Sequence, residues 1–334
     1  MRWSKIGCAL TIALAAWGGR ASALEPLTGF GDNPGALDAF VHVPAADLAG
    51  APLVVALHGC TQSAADVDDE TGLAALAETT PFLLLLPQQR AANNEARCFN
   101  FFRADDNRPG VGESGSIRNM IAHALDRWSL DRARVYVAGL SAGGSMTAVL
   151  LANYPTLVAG GGVIAGTPFD CNRPTWRTGA VWWWLDTFVG EAAAASWACG
   201  IGGPSVDDRA PADWGDAVRA VAGEPAPGAW PSVSLWQGGA DTVVDPDNQR
   251  ELLEQWTDVH GVDREVDAEE RVGDAVRRTY ADADGRAVVE TWWLEPLPHA
   301  WPVDPEACGV ADTYSVPSGV CASRRMLRFW GLVP

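Results

Sequence analysis

Residues 135–153 leave little freedom in how this part of the chain folds. The apolar run Val135-Tyr136-Val137-Ala138 leads directly into Gly139-Leu140-Ser141-Ala142-Gly143-Gly144, and that turn passes without a spacer into the helix-forming stretch Ala142–Asn153. A strand that becomes a helix in so few residues needs small neighbours around the bend, and Gly139 and Gly143 supply them. A unit of this kind is built for a parallel sheet with helices packed on its faces.

The rest of the chain repeats the alternation. Candidate strands are Leu53–Leu57, Phe82–Leu86, Val135–Gly139, a short one near Val163, Val233–Gln237 and Val288–Leu294. Candidate helices with apolar residues at three- and four-residue spacing are Ala64–Glu78, Ser116–Trp128, Ala142–Asn153, Asp247–Val259 and Ala322–Trp330. The class is therefore α/β, a mostly parallel sheet covered by helices on both faces. Arg271–Tyr280 and Arg286–Leu294 flank Asp282-Ala283-Asp284-Gly285, which predicts a late strand pair. The least regular stretch runs from Cys171 to Pro231 and carries Trp176, Trp182, Trp183, Trp184, Trp197, Trp214 and Trp230. It reads as a Trp-rich insertion at the carboxyl edge of the sheet. With no repeat or linker to divide it, the chain from Leu24 to Pro334 is expected to form one catalytic domain.

Composition narrows the chemistry. Asp and Glu number 42 against 24 Lys and Arg, a net charge of −18, so a nucleic-acid partner would be repelled. Lys5 is the only lysine, which removes Schiff-base, pyridoxal-phosphate, P-loop and Ser-Lys chemistry, because arginine cannot supply a titrating amine. No H-E-x-x-H motif or close histidine pair suggests a metal, and no G-x-G-x-x-G follows an early strand, so no cofactor is expected.

Arg2 and Lys5 precede the apolar run Ile6–Trp17, and Ala21-Ser22-Ala23 supplies a small-x-small cleavage site. Residues 1–23 thus read as an export signal, with a secreted product, extracellular or periplasmic, starting at Leu24. No later stretch approaches the roughly 20 apolar residues of a membrane span. Loss of the signal removes Cys8 and leaves six of the 7 cysteines, an even number that suits three disulfides in an exported protein. Neighbourhood in sequence favours Cys60 with Cys98, Cys171 with Cys199 and Cys308 with Cys321.

Ser141, placed on the strand-to-helix turn, is the candidate nucleophile, and a hydroxyl there needs a base. Of five histidines, only His260 and His299 follow an acid in the order serine, acid, histidine. His260 ends a helical stretch, whereas His299 lies in the loop Leu297-Pro298-His299-Ala300-Trp301-Pro302 after the last strand, which favours His299. The orienting acid should follow Val233–Gln237, where Asp241 and Asp245 stand. Asp245-Pro246-Asp247 reads as a helix start, so Asp241 is the acid. An oxyanion needs two N–H donors: Ala142, just after the nucleophile, and Cys60 in the loop after Leu53–Leu57. His58 reads as a loop-packing residue. Among the 16 tryptophans, Trp236, Trp256, Trp292 and Trp330 read as core. Trp182, Trp183 and Trp184 in the insertion, and Trp301 beside His299, are candidates for substrate contact.

Together, Leu57-His58-Gly59-Cys60-Thr61-Gln62, Cys98-Phe99-Asn100, Gly139-Leu140-Ser141-Ala142-Gly143-Gly144, Gly239-Ala240-Asp241 and His299-Ala300-Trp301 resemble the polyhydroxybutyrate-depolymerase-like esterases, over most of residues 50–330. The resemblance implies an α/β-hydrolase with Ser141 as nucleophile, Asp241 as acid, His299 as base and Cys60 in the oxyanion hole. It also implies a secreted serine esterase acting on polyhydroxyalkanoate polymer or oligomers. Feruloyl and acetylxylan esterases are neighbours of that family, so an ester on plant polysaccharide is the alternative substrate. A secreted serine peptidase and a non-catalytic polymer-binding protein are the remaining rivals. Leu297-Pro298 departs from the glycine-rich loop of such relatives, and many polymer depolymerases carry a linker and binding domain, whereas this sequence ends at Pro334.

Overall fold

The two runs that read as fully buried strands form the centre of the sheet. In β3 (Leu53–Leu57) and β5 (Val135–Leu140) every residue is buried, as continuous apolar runs require when helices cover both faces. The computed structural model describes residues 24–173, 191–223, 225 and 228–334. Residues 1–23, the expected export signal, and Trp176, Trp182, Trp183 and Trp184 lie outside the described residues.

Around that centre runs a sheet of ten described strands in the order β1-β2-β4-β3-β5-β6-β7-β10-β9-β8. The strands β4 (Leu83–Gln88), β3, β5, β6 (Gly160–Ile164), β7 (Ser232–Gly238) and β10 (Ala287–Leu294) pair in parallel. At one edge β2 (Asp38–His42) and the short β1 (Glu25–Pro26) run antiparallel, and at the other edge so do β9 (Ala275–Ala281) and β8 (Ala268–Val272). The predicted late strand pair is β9 and β10, with β8 added through a turn at Gly273 that the sequence reading missed. A separate two-stranded ladder joins β11 (Trp301–Val303) to β12 (Ser315–Pro317).

Apolar side chains divide between the two faces. One face packs against α3 (Gly112–Arg127), α4 (Ala142–Asn153) and α7 (Asn248–His260), through residues such as Ile117, Met146, Leu252 and Trp256. The other packs against α1 (Ala64–Glu70), α2 (Leu73–Thr79) and α8 (Ala322–Phe329), through Val67, Leu76, Met326 and Leu327. Each such side chain contributes about 1.5–3 kcal/mol on leaving water. Every residue of α4 is buried, so the helix after Ser141 is locked under the sheet.

Three local expectations need correcting. The single helix expected over Ala64–Glu78 is two, because Gly72 at φ 77 breaks it and the Cys308–Val310 segment packs into the break. The stretch after Cys171, read as irregular, contains α5 (Glu191–Ala198) and α6 (Pro211–Ala222). Asp245 does not cap α7, whose N-cap is Asp247; its carboxylate instead accepts the N–H groups of Asp247 at 3.2 Å and Val206 at 3.0 Å.

Candidate active site

Ser141 sits at the end of β5 with φ 59 and ψ −122, a backbone region that serine rarely adopts. The surrounding glycines enforce this bend. A Cβ on Gly139 would lie 2.4 Å from the Gly143 backbone, and one on Gly143 would lie 2.3 Å from the Leu57 carbonyl oxygen. The turn is closed by Ser141 N–H donating to Ile164 O at 2.9 Å and by Ser145 N–H donating to Ser141 O at 2.8 Å.

The strand ends β7 and β10 bring the other two groups together. His299 Nδ1 lies 2.8 Å from Asp241 Oδ2, in a pair whose carboxylate is fully buried. Asp241 Oδ1 accepts the N–H groups of Val243 at 2.8 Å and Val244 at 3.0 Å, and Gln237 Nε2 donates to Oδ2 at 3.1 Å. Burial alone would raise this carboxyl, but its bond to His299, the imidazole charge and the two backbone donors hold it below the usual carboxylate range. With Nδ1 engaged, Nε2 is the ring nitrogen left for the cavity.

Ser141 and His299 line one cavity of about 180 Å³ together with Gly59, Cys60, Ala142 and Tyr314. Among the described residues the N–H groups of Cys60 and Ala142 donate to no protein acceptor, so both remain available to an oxyanion. Cys60 is tied by a disulfide to Cys98; the other two join Cys171 to Cys199 and Cys308 to Cys321. Phe101, Leu140, Ile201, Val243 and Val244 give the rest of the wall an apolar part, and Thr61, Gln62 and Ser145 add polar side chains. Among the described residues, no group of three or more His, Cys, Asp or Glu side chains is placed to hold a metal ion.

The remaining candidates fall elsewhere. His260 is half-buried at the end of α7 with Nε2 3.0 Å from Pro231 O, and loss of solvent around the ring pushes it down to about 4. Trp301 does not contact the cavity: it is 1% exposed, and its Nε1 donates to Ser323 Oγ at 3.1 Å, so the expectation of substrate contact is corrected to a core role. Trp236 and Trp292 stack in the core with centroids 4.6 Å apart. Sequence reasoning missed Tyr314, whose hydroxyl lies 3.3 Å from Thr61 Oγ1 at the cavity wall. No local motif marks it, because its loop is carried to the site by distant partners, the β11–β12 ladder and Glu70.

Residues 37–175 match the family described as Esterase PHB depolymerase. Poly(3-hydroxyalkanoate) depolymerase C of Paucimonas lemoignei is 39% identical over 330 residues, covering 97% of this chain and 74% of that protein. The chain belongs to the Esterase PHB depolymerase family. Within reach of this Esterase PHB depolymerase member are acetylxylan esterase A of Aspergillus oryzae, 32% identical over 244 residues (72% of this chain, 73% of that one), and feruloyl esterase B of Thermothelomyces thermophilus, 32% identical over 245 residues (73% and 77%). A solved acetyl xylan esterase from Aspergillus awamori superposes with a TM-score of 0.73 at 22% identity, covering 93% of this chain and 100% of that one, which shows a shared α/β-hydrolase fold. The Esterase PHB depolymerase member described here is a carboxylic ester hydrolase.

Proposed function

We propose that the chain is an exported serine esterase that cleaves its substrate through an acyl-enzyme at Ser141. The observation that carries this reading is the 2.8 Å pair between His299 Nδ1 and Asp241 Oδ2, on the same cavity as Ser141 at its strained turn. In the first half-reaction Ser141 Oγ attacks the ester carbonyl carbon while its proton passes to His299 Nε2. Negative charge on the carbonyl oxygen meets the N–H groups of Cys60 and Ala142. The ester C–O bond then breaks and the alcohol leaves with the proton from His299. In the second half, water loses a proton to His299 and attacks the acyl carbon, the bond to Ser141 Oγ breaks, and the proton returns to Ser141.

As substrate we propose the ester links of a polyhydroxyalkanoate, in polymer or oligomer form, the class named by the relative at 39% identity. The small cavity also suits an acetyl group, and acetylxylan esterases stand among the relatives, so acetylated plant polysaccharide is the second reading. Export is supported by Arg2 and Lys5 ahead of the run Ile6–Trp17 and by three disulfides, which persist in oxidising compartments.

The test is release of soluble 3-hydroxybutyrate from a polyhydroxybutyrate suspension, run beside acetylated xylan and a soluble short-chain ester, with Ser141→Ala as control. Release from the polyester that vanishes in Ser141→Ala supports the first reading. Acetate from xylan with no hydroxybutyrate replaces it with the second. Activity that survives in Ser141→Ala overturns the acyl-enzyme mechanism.

A further inference from the structure

The peptide unit between Gly59 and Cys60 faces the cavity with one end and a buried polar network with the other. Its N–H belongs to Cys60. Its carbonyl belongs to Gly59 and lies 2.7 Å from His58 Nδ1, with Gln62 N–H a longer donor at 3.3 Å. Because a trans peptide is planar, whatever fixes the carbonyl fixes the direction of the N–H.

His58 is fully buried, and its tautomer follows from its partners. Nε2 lies 3.0 Å from the Gln89 backbone N–H and 3.3 Å from Gln88 Nε2. A nitrogen that accepts a backbone N–H carries no proton, so the proton sits on Nδ1 and points to Gly59 O. The Gln88 amide cannot be reversed to undo this, since its Oε1 accepts Ala64 N–H at 2.6 Å and its Nε2 donates to Gln89 O at 2.7 Å. Gln89 is anchored in turn, its side chain donating to the Glu113 carboxyl and, at 3.1 Å, to Cys98 O. Burial pushes the His58 ring down to about 4, so it stays neutral at working pH.

The far side of Cys60 is clamped as well. Thr61, at φ 66, donates its hydroxyl to Cys60 O at 2.6 Å, and Arg97 holds Thr61 O. A β-branched residue at positive φ persists only when its surroundings over-determine it.

We infer that His58 is a positioning residue for acyl transfer, its Nδ1–H holding the Gly59 carbonyl so that the Cys60 N–H aims at the oxyanion. The inference rests on the reading of Cys60 N–H as an oxyanion donor. Donation to the carbonyl also polarises the peptide and makes its N–H a better donor. A histidine that only fills space would need neither the fixed tautomer nor the contact to this particular carbonyl.

Two substitutions separate the two nitrogens. In His58→Asn the amide nitrogen stands near the place of Nδ1 and can donate to Gly59 O. In His58→Gln the amide reaches toward the place of Nε2, can accept Gln89 N–H, and leaves Gly59 O without that donor. On a soluble short-chain ester, His58→Gln is expected to lose about 10- to 100-fold in kcat with little change in KM, and His58→Asn to recover most of it. Equal losses in the two variants, or losses that simply follow Tm, overturn the inference.

Two measurements on the wild type need no substitution. With 15N-histidine, His58 is expected as the Nδ1–H tautomer, and the Nε2–H tautomer overturns the inference. With 15N-cysteine, the Cys60 amide proton is expected to move downfield when Ser141 forms a hemiketal with a trifluoromethyl ketone. A Cys60 amide that does not move refutes the donor reading itself. One that moves while His58→Gln keeps full kcat refutes only the role of His58.

Discussion

Asp241 presents a single oxygen to His299. Oδ1 is occupied by the N–H groups of Val243 and Val244, and Oδ2 meets His299 Nδ1 at 2.8 Å. This division predicts the effect of Asp241→Asn. The amide oxygen must stay where the two backbone donors converge, so the NH2 group is forced toward His299 and Nδ1 must become an acceptor. The proton then sits on Nε2, the wrong nitrogen for accepting one from Ser141. Expected is a loss of about 10³- to 10⁴-fold in kcat with Tm changed far less, measured by ester hydrolysis and thermal unfolding.

Gly143→Ala tests how tightly the serine turn is built. The added Cβ would stand 2.3 Å from Leu57 O and 2.6 Å from His58 O, both backbone atoms that cannot swing aside. The start of α4 must shift, carrying the Ala142 N–H with it. We expect a stability loss of about 1–3 kcal/mol and a drop in kcat of about tenfold or more. Unchanged kcat would show that the turn has slack the geometry does not reveal.

Removing the bond between Cys60 and Cys98 by the double change to serine should act on rate as well as stability. The bridge closes a sequence separation of 38 residues, for which about 2–4 kcal/mol of unfolding free energy is expected to be lost. Because one of its cysteines carries an oxyanion N–H in the proposed mechanism, kcat should fall while KM changes little, as read from steady-state kinetics below the melting range.

Glu113 supplies a pH test. Burial pushes it up to about 8, the charge of Asp106 adds to this, and donors from Asn100 and Gln89 pull part of the way back. Its folded pKa stands above the unfolded value of 4.5, so the folded state holds the proton more tightly. The stability this lends is complete below about 4.5 and lost as pH rises toward about 8. Glu113→Gln should therefore be the less stable protein at pH 5, with the gap narrowing by pH 9. Thermal unfolding across that range checks it, and a constant gap excludes the linkage.

Acyl length should follow from the size of the cavity. At about 180 Å³ it lies below the roughly 300–1,000 Å³ of sites that enclose drug-sized ligands. Esters of acetate and butyrate should give higher kcat/KM than octanoate by about tenfold or more, since added methylenes that cannot enter contribute none of the usual 0.8 kcal/mol or so apiece.

The central strands and the triad candidates were legible because their signals are local. Leu53–Leu57 and Ala142–Asn153 have the predicted limits, since a fully buried parallel strand and the helix after a glycine turn are written in consecutive residues. What depended on distant partners was not legible. The break at Gly72 is set by a segment more than two hundred residues later, and Trp301 is buried because its strand pairs with Ser315–Pro317. The helix Pro211–Ala222 did carry a signal, proline at its first position with Trp214 and Val218 four apart, hidden under the glycines and tryptophans around it. The role of the His58 ring could not be read at all, since it needs Gln88, Gln89 and Gly59 in place.

The positive φ of Ser141 means that the proposed nucleophile works against the fold that carries it. Conformations of this kind cost about 1–3 kcal/mol in a residue with a side chain, and glycine adopts them without that penalty. Ser141→Gly should accordingly melt above Ser141→Ala, though both lack the hydroxyl. The difference between their melting temperatures measures how much durability the chain gives up to keep a hydroxyl at that bend.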